Sequence, residues 1–489
     1  MHNQRAAYKV FALSLATSMA LLLFVPTNGH AQSTPGTTTI PAIPSSAPLV
    51  LIPGVQNTEA SADPVVIGNP ANSLVTGSLR GTQTTAGPNG SSPAGRISTT
   101  PAGNAVAPLG PRSNRIGNGA GNNADSGNSY DPEPLRVGRF NVSGELAVTG
   151  GASTNLTSAA GGTDGRFSRA QFSGSAKSDW TRHQLRLSSS ADVDLFNSGS
   201  VNRDVSINLQ AETRLDLTQG NTLTLNSGVV FATEDANSPD AAVTGTDNPI
   251  VSTYTLGATY DRDVGIVGLQ LRGGLEATRY APVEIAGQPA QSQDTRNQNV
   301  GSLGARLSYD KGGKWQPYID ASLARGDRTV RLDANGFDRR YLLGSLLAGA
   351  VFEVWDGLRC NVEACYTMRV FADTRLDDLS GLTANANLQY NPTDDLSISA
   401  SLGTSFSGSS QNGASGSIAY DAGANLVWSL RDNLELTASS NFVFTDYSND
   451  ERDAQLDLSL GANYWITPHA GVTAEVSRTN LTTNRVGAA

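Results

Sequence analysis

Between Val205 and Phe231 the chain keeps a period of two. Val205, Ile207, Leu209, Ala211, Thr213, Leu215 and Leu217 form one mostly apolar row, and Ser206, Asn208, Gln210, Glu212, Arg214 and Asp216 interleave as a polar one. After Gln219-Gly220-Asn221 the pattern resumes, with Leu223, Leu225, Ser227, Val229 and Phe231 set against Thr222, Thr224 and Asn226. Successive side chains of a strand point to opposite faces, so this is a long β-hairpin with one apolar and one polar face. Each arm has about the length that a tilted strand needs to cross a bilayer.

The unit recurs from Leu135 onward. Phe140, Val142, Gly144, Leu146 and Val148 alternate with polar residues, as do Leu185, Leu187, Ala191, Val193 and Leu195, and later Leu456, Leu458, Leu460, Ala462 and Tyr464. Connections alternate between tight ones, such as Thr181 to His183, Trp355 to Gly357 and Arg431 to Asn433, and longer Gly/Asn/Asp/Ser-rich ones, such as Asp235 to Pro249 and Ala281 to Asn297. Outer-membrane barrels show this asymmetry, with short periplasmic turns and long outer loops. Hydrophobic residues make up only 38% of the chain, and no apolar run after the N-terminal segment is long enough for a spanning helix, which excludes a helical membrane protein. A barrel is compatible, because alternation dilutes the hydropathy of each segment. The net charge of -10 comes with no basic stripe, which argues against nucleic acid, and two Cys give no disulfide framework.

The N-terminus carries the marks of an export signal over residues 1–31: Arg5 and Lys9, an apolar core from Val10 to Val25, and Gly29-His30-Ala31 as the cleavage site. Residues 32–134 are rich in Pro, Gly, Ser, Thr and Asn, as in Gly117-Asn118-Gly119-Ala120-Gly121-Asn122-Asn123. Such a composition buries too little apolar surface to offset ordering entropy, so a disordered periplasmic tether is expected there, and the barrel over 135–489.

All five Trp (Trp180, Trp315, Trp355, Trp428 and Trp465) lie at or near a tight turn, joined by Tyr260, Tyr309, Tyr390 and Tyr464. Phe196, Phe231, Phe371, Phe406 and Phe444 fall near the long-loop ends. Two aromatic belts suit the two bilayer interfaces, whereas a soluble β-sandwich or β-solenoid leaves this placement unexplained. The fold class is therefore all-β: a transmembrane antiparallel up-and-down β-barrel of about 16–18 strands with a disordered N-terminal segment. Eight tight hairpins and one first strand near Phe140 give an odd count. Antiparallel closure needs an even one. Either one strand escapes the count or a closing strand is missing; the residues from Leu481 read as the start of a surface loop, which favours the second.

On Leu388-Gln389-Tyr390-Asn391-Pro392-Thr393-Asp394-Asp395-Leu396-Ser397-Ile398 and Val476-Ser477-Arg478-Thr479-Asn480-Leu481, the region from Leu135 to Asn480 resembles the putative β-barrel porin 2 family of Gram-negative outer-membrane proteins. That resemblance implies a porin-like function linked with surface polysaccharide, polysaccharide-export components as partners, and a final strand read by the barrel-assembly machinery. It brings no catalytic motif.

No constellation suggests an enzyme. Of four His, His2 and His30 belong to the signal, while His183 and His469 sit in tight turns. Cys360 and Cys365 have opposite parity and should not bridge. Neither Asp373 to Asp378 nor Asp333-Ala334-Asn335-Gly336 has the ligand spacing of a calcium loop, and turn formation accounts for both. No metal or cofactor is expected. Function would reside in the lumen row, where parity directs Arg169, Lys177, Arg186, Arg214, Arg272, Arg306, Arg359 and Arg369 inward with Asp192, Asp194, Glu212, Asp216, Asp320, Glu363 and Glu435. A mixed-charge wall can line a water-filled pore for a hydrophilic solute or a polysaccharide. It can also pair with itself around a closed lumen, leaving a structural or adhesive surface protein whose loops bind a partner. Outer-membrane lipid is a partner in both.

Overall fold

The computed structural model describes residue 130 and residues 133–154, 164–197, 203–218, 220–234, 249–283, 289–309, 314–333, 335–355, 357–408, 416–447 and 451–483. The expected signal segment and nearly all of the expected tether lie outside the described residues. Eighteen strands follow one another: β1 (Leu135–Val137), β2 (Phe140–Ser153), β3 (Gly165–Ser178), β4 (His183–Phe196), β5 (Arg203–Thr218), β6 (Asn221–Thr233), β7 (Ile250–Val264), β8 (Val267–Tyr280), β9 (Gln298–Tyr309), β10 (Trp315–Arg328), β11 (Tyr341–Trp355), β12 (Leu358–Phe371), β13 (Leu379–Thr393), β14 (Leu396–Gly408), β15 (Gly416–Arg431), β16 (Leu434–Tyr447), β17 (Arg452–Thr467) and β18 (Ala470–Thr483). One short 3-10 turn, Asp294–Arg296, precedes β9. No described helix is long and apolar enough to cross a membrane, which bears only on helices.

Each strand pairs antiparallel with the next, up and down, from β1 to β18. Glu475 on β18 lies within electrostatic reach of Arg169 on β3, which brings the last strand near the first ones. The tight turns fall where the alternation breaks. Gly220, Gly265 and Gly357 take positive φ there, which a side chain disfavours. Register shifts between Asp216 and Thr218, Glu353 and Trp355, Tyr390 and Thr393, Ser429 and Arg431, and Trp465 and Thr467 all sit beside tight turns. An extra residue at such a bulge re-aims the side chains that follow it.

The strand count corrects the sequence reading at both ends. The missing even member is β1, which pairs Leu135 with Val142 and Val137 with Phe140. Three residues are too few to show a period, and Pro134, which has no N–H to donate, stops the strand from lengthening. Arg136 ties β1 to Asp179 in the β3–β4 turn. At the other end, β18 continues to Thr483 and pairs Leu481 with Gln455, so these residues are strand and not the start of a loop. The run Arg478-Thr479-Asn480 is polar on both faces and hides this continuation. Both β2 and β18 run from the tight-turn end to the long-loop end, so they point the same way, and among the described residues no register joins them.

The burial pattern is the reverse of a soluble protein's. Val148 and Leu382 are both 78% exposed, with Leu146, Leu275, Leu303, Leu346 and Val476 also exposed, while polar residues of the opposite parity are buried. In a sheet curled on itself, the buried polar row is the inner wall and the exposed apolar row faces lipid.

Candidate functional site

The inner wall is built by strand parity, so each polar residue is placed by the apolar neighbour that must face out. On β3 and β4, Arg169 sends Nε and Nη2 to the two carboxylate oxygens of Asp194 at 2.5 and 2.7 Å, and Gln171 donates to Asp192 at 2.9 Å. Across β8 to β10, Arg272 places Nη2 2.7 Å from both oxygens of Asp320, and Arg306 donates Nε to the same carboxylate at 2.8 Å. The Arg306 guanidinium also lies 4.5 Å from the Tyr318 ring centre. The Tyr318 hydroxyl sits 2.8 Å from Asn361 Oδ1 and 2.5 Å from Glu363 Oε1. One connected polar network thus covers the wall from β8 to β12.

The remaining candidates are more dispersed. Arg214 pairs with Asp216 at 3.0 Å, and Glu435 accepts from Asn463 at 3.1 Å. Lys177, Arg186 and Glu212 occupy successive cross-strand positions, with Arg186 exposed and the other two half-buried. Arg359 is half-buried at the tight-turn end of β12. Arg369 is 1% exposed beside an apolar cluster at the other end of that strand.

Of the five Trp, Trp180, Trp315, Trp355 and Trp428 are exposed at the tight-turn end. Trp355 sits at its bulge next to Tyr390 (ring centres 6.3 Å apart), and Trp315 stacks near Phe352. Trp465 is different: it is 5% exposed and shares the inward parity of Asp453 and Asp457, so its neighbour Tyr464 takes the lipid-facing position. Phe371 also faces inward, packing with Tyr341, Leu343, Leu376 and Ala324.

Sequence reasoning missed the tyrosines of the wall. Tyr318 shares the parity of Asp320, and Tyr341 that of Leu343, and this parity is the signal in the sequence that places both rings on the wall. Each ring lies over a glycine on the paired strand, Tyr318 over Gly349 and Tyr341 over Gly326. A Cβ on Gly326 would stand 2.2 Å from the Tyr341 ring.

At the long-loop end, two connections are bound by charge. Asp333 accepts from the amides of Asn335 and Phe337 and pairs with Arg339, which makes this segment a closed turn. Asp338 pairs with Arg340 and Arg331, and its amide donates to Asp373 at 3.0 Å. Arg375 pairs with Asp373 and donates to the Gly336 carbonyl at 2.6 Å, which ties the two loops together. Hydrogen bonds from Arg340 lower the Asp338 pKa to about 2, and Arg375 holds Asp373 well below the usual carboxylate range.

His183 Nδ1 accepts from the Asp216 amide at 3.2 Å, a role in holding a turn, and His469 is exposed in the last tight turn. Cys360 and Cys365 are both free, with Cys365 facing inward against Ser345.

The profile of the putative beta-barrel porin 2 family matches residues 128–489 of this chain. Among solved structures, the chain is similar to the alcaligin outer-membrane receptor FauA of Bordetella pertussis (13% identity, TM-score 0.38, covering 72% of this chain and 63% of that one). It is also similar to the outer-membrane transporter YddB of Escherichia coli (12%, 0.38, 72% and 61%) and to the FrpB iron transporter of Neisseria meningitidis (11%, 0.42, 72% and 64%). The chain spans about three fifths of the length of these structures. No curated protein matches the sequence.

Proposed function

Because this chain belongs to the putative beta-barrel porin 2 family, we propose that it works in the outer membrane as a barrel that lets a hydrophilic solute through its lumen. The observation that carries this reading is the inner wall: Arg169, Arg272, Arg306, Asp194, Asp320 and Glu363 all project from strands whose other face is apolar. A wall of paired charges of both signs suits a polar solute of either charge and gives weak ion selectivity. A surface polysaccharide is the finer form of the reading, with export components as partners on the periplasmic side. Residues 1–31 would direct export, and the barrel-assembly machinery would insert the strands.

The experiment is conductance in planar bilayers with purified, heat-modifiable protein. Discrete channel steps with weak selectivity are expected. Silent membranes containing folded protein would overturn the reading and leave a second one, a closed-lumen surface anchor. That second reading draws its support from the apolar cluster of Tyr341, Leu343, Phe371 and Leu376, which fills part of the long-loop end of the lumen.

A further inference from the structure

We infer that Arg369 and Tyr341 form an oxyanion-binding site on the inner wall near the long-loop end, suited to a carboxylate or a phosphate. Four other arginines among the described residues use the Nε–Nη2 edge of the guanidinium in the same way. Arg169 grips Asp194 with it, Arg325 grips Asp327, Arg340 grips Asp338 and Arg375 grips Asp373. In Arg369 both Nε and Nη2 are buried with no partner, and the side chain is 1% exposed. The fork that elsewhere meets two carboxylate oxygens meets no carboxylate of this chain here.

The surroundings disfavour an unpaired guanidinium. Arg369 pairs across the sheet with Leu343 on one side and Leu379 on the other, and Leu343 has no exposed surface. A second cation, Arg328, lies within electrostatic reach. The favourable contact that remains is the Tyr341 ring, whose centre is 4.4 Å from the guanidinium carbon. An unneutralised guanidinium in such a place is strongly disfavoured, and a ring face offsets only part of that. The Tyr341 hydroxyl is itself buried and unpartnered, which adds a third donor on the same wall. Two parallel N–H groups and one O–H suit a planar or tetrahedral oxyanion, because the bidentate fork matches its oxygen spacing. The loop residue Leu376 packs on this cluster and covers the site from the long-loop end.

The inference concerns binding and stands whether or not the lumen conducts. Its test is thermal unfolding of the folded, detergent-extracted protein, followed by the loss of the fast-migrating gel form. The probes are sodium glucuronate and inorganic phosphate, with glucose and sodium chloride at matched ionic strength as controls. Glucuronate or phosphate at millimolar concentration is expected to raise the midpoint by several degrees, while glucose and chloride leave it unchanged. A shift with glucuronate alone assigns the site to a sugar acid, and one with phosphate alone to a free or esterified phosphate. Arg369→Lys keeps the charge but loses the fork, and should abolish the gain. Tyr341→Phe keeps the ring under Arg369 and should raise the half-saturating concentration several-fold. No shift with either oxyanion, an equal shift with chloride, or an undiminished shift in Arg369→Lys would overturn the site.

Discussion

At the residue scale, two positions separate geometry from charge. Gly357 has φ +82°, and a Cβ there would meet the Asn391 carbonyl oxygen at 2.5 Å. Gly357→Ala combines a left-handed backbone penalty with a clash against backbone that is itself bonded to Gly357, and should cost about 1–3 kcal/mol of folding stability in lipid vesicles by urea titration. Asp320 is 2% exposed between Arg272 and Arg306. Asp320→Asn leaves two guanidinium groups sharing no counter-charge, and the loss by the same titration should be about 3–5 kcal/mol. Arg325→Gln is the control: its exposed pair with Asp327 should contribute under about 1 kcal/mol.

At the element scale, the hairpin was legible because nothing competes with a period of two over a dozen residues. Its apolar row has to face lipid, and a one-residue slip would turn every Arg and Asp outward. What escaped was short or broke the period. β1 has three residues, and the polar stretch Arg478-Thr479-Asn480 lacks the apolar marker. Distance to a turn puts Trp465 and Phe371 in the belts, but their parity, shared with Asp457 and Arg369, turns them inward. The loop pairs Asp338–Arg340 and Asp373–Arg375 could not be read, because in a connection without a period nothing in the sequence says which charges meet.

Those loops also give a pH prediction. The Asp338 pKa falls from 3.8 to about 2 through its hydrogen bonds with Arg340, so the folded state favours the ionised form. The contribution to loop stability is complete above the unfolded value of about 4 and is lost as pH falls through about 2. Amide exchange over residues 335–340, corrected for intrinsic rates, should show constant protection from pH 7 to 5 and loss of protection below about pH 4. In Asp338→Asn the Arg340 amide, which donates to the Asp338 carboxylate, should lose its protection already at pH 7, while the Asn335 and Phe337 amides, held by Asp333, should keep theirs.

At the scale of the whole molecule, fold class and polarity followed from the sequence, since a barrel of alternating strands is the arrangement that satisfies every backbone group in lipid while keeping Arg and Asp out of it. The wall's connections did not follow. Parity places Arg272, Asp320 and Arg306 on one face, but their convergence depends on the registers of β8, β9 and β10, which turn geometry sets. The same dependence governs Arg369, whose lack of a carboxylate partner follows from cross-strand registers that pair it with Leu343 and Leu379.

The central claim is that one face of each strand meets lipid and the other meets the lumen. The direct measurement is single-cysteine labelling at Leu382, Thr383, Ala384, Asn385, Ala386 and Asn387 on β13, with Cys360 and Cys365 replaced, in vesicles containing brominated lipid. Leu382 is 78% exposed while Thr383 is 4% and Asn387 8% exposed. Fluorescence at 382, 384 and 386 should be quenched by the brominated lipid, and at 383, 385 and 387 by an aqueous quencher instead. Uniform quenching along the six positions, or alternation with the two sets exchanged, would contradict the barrel described here.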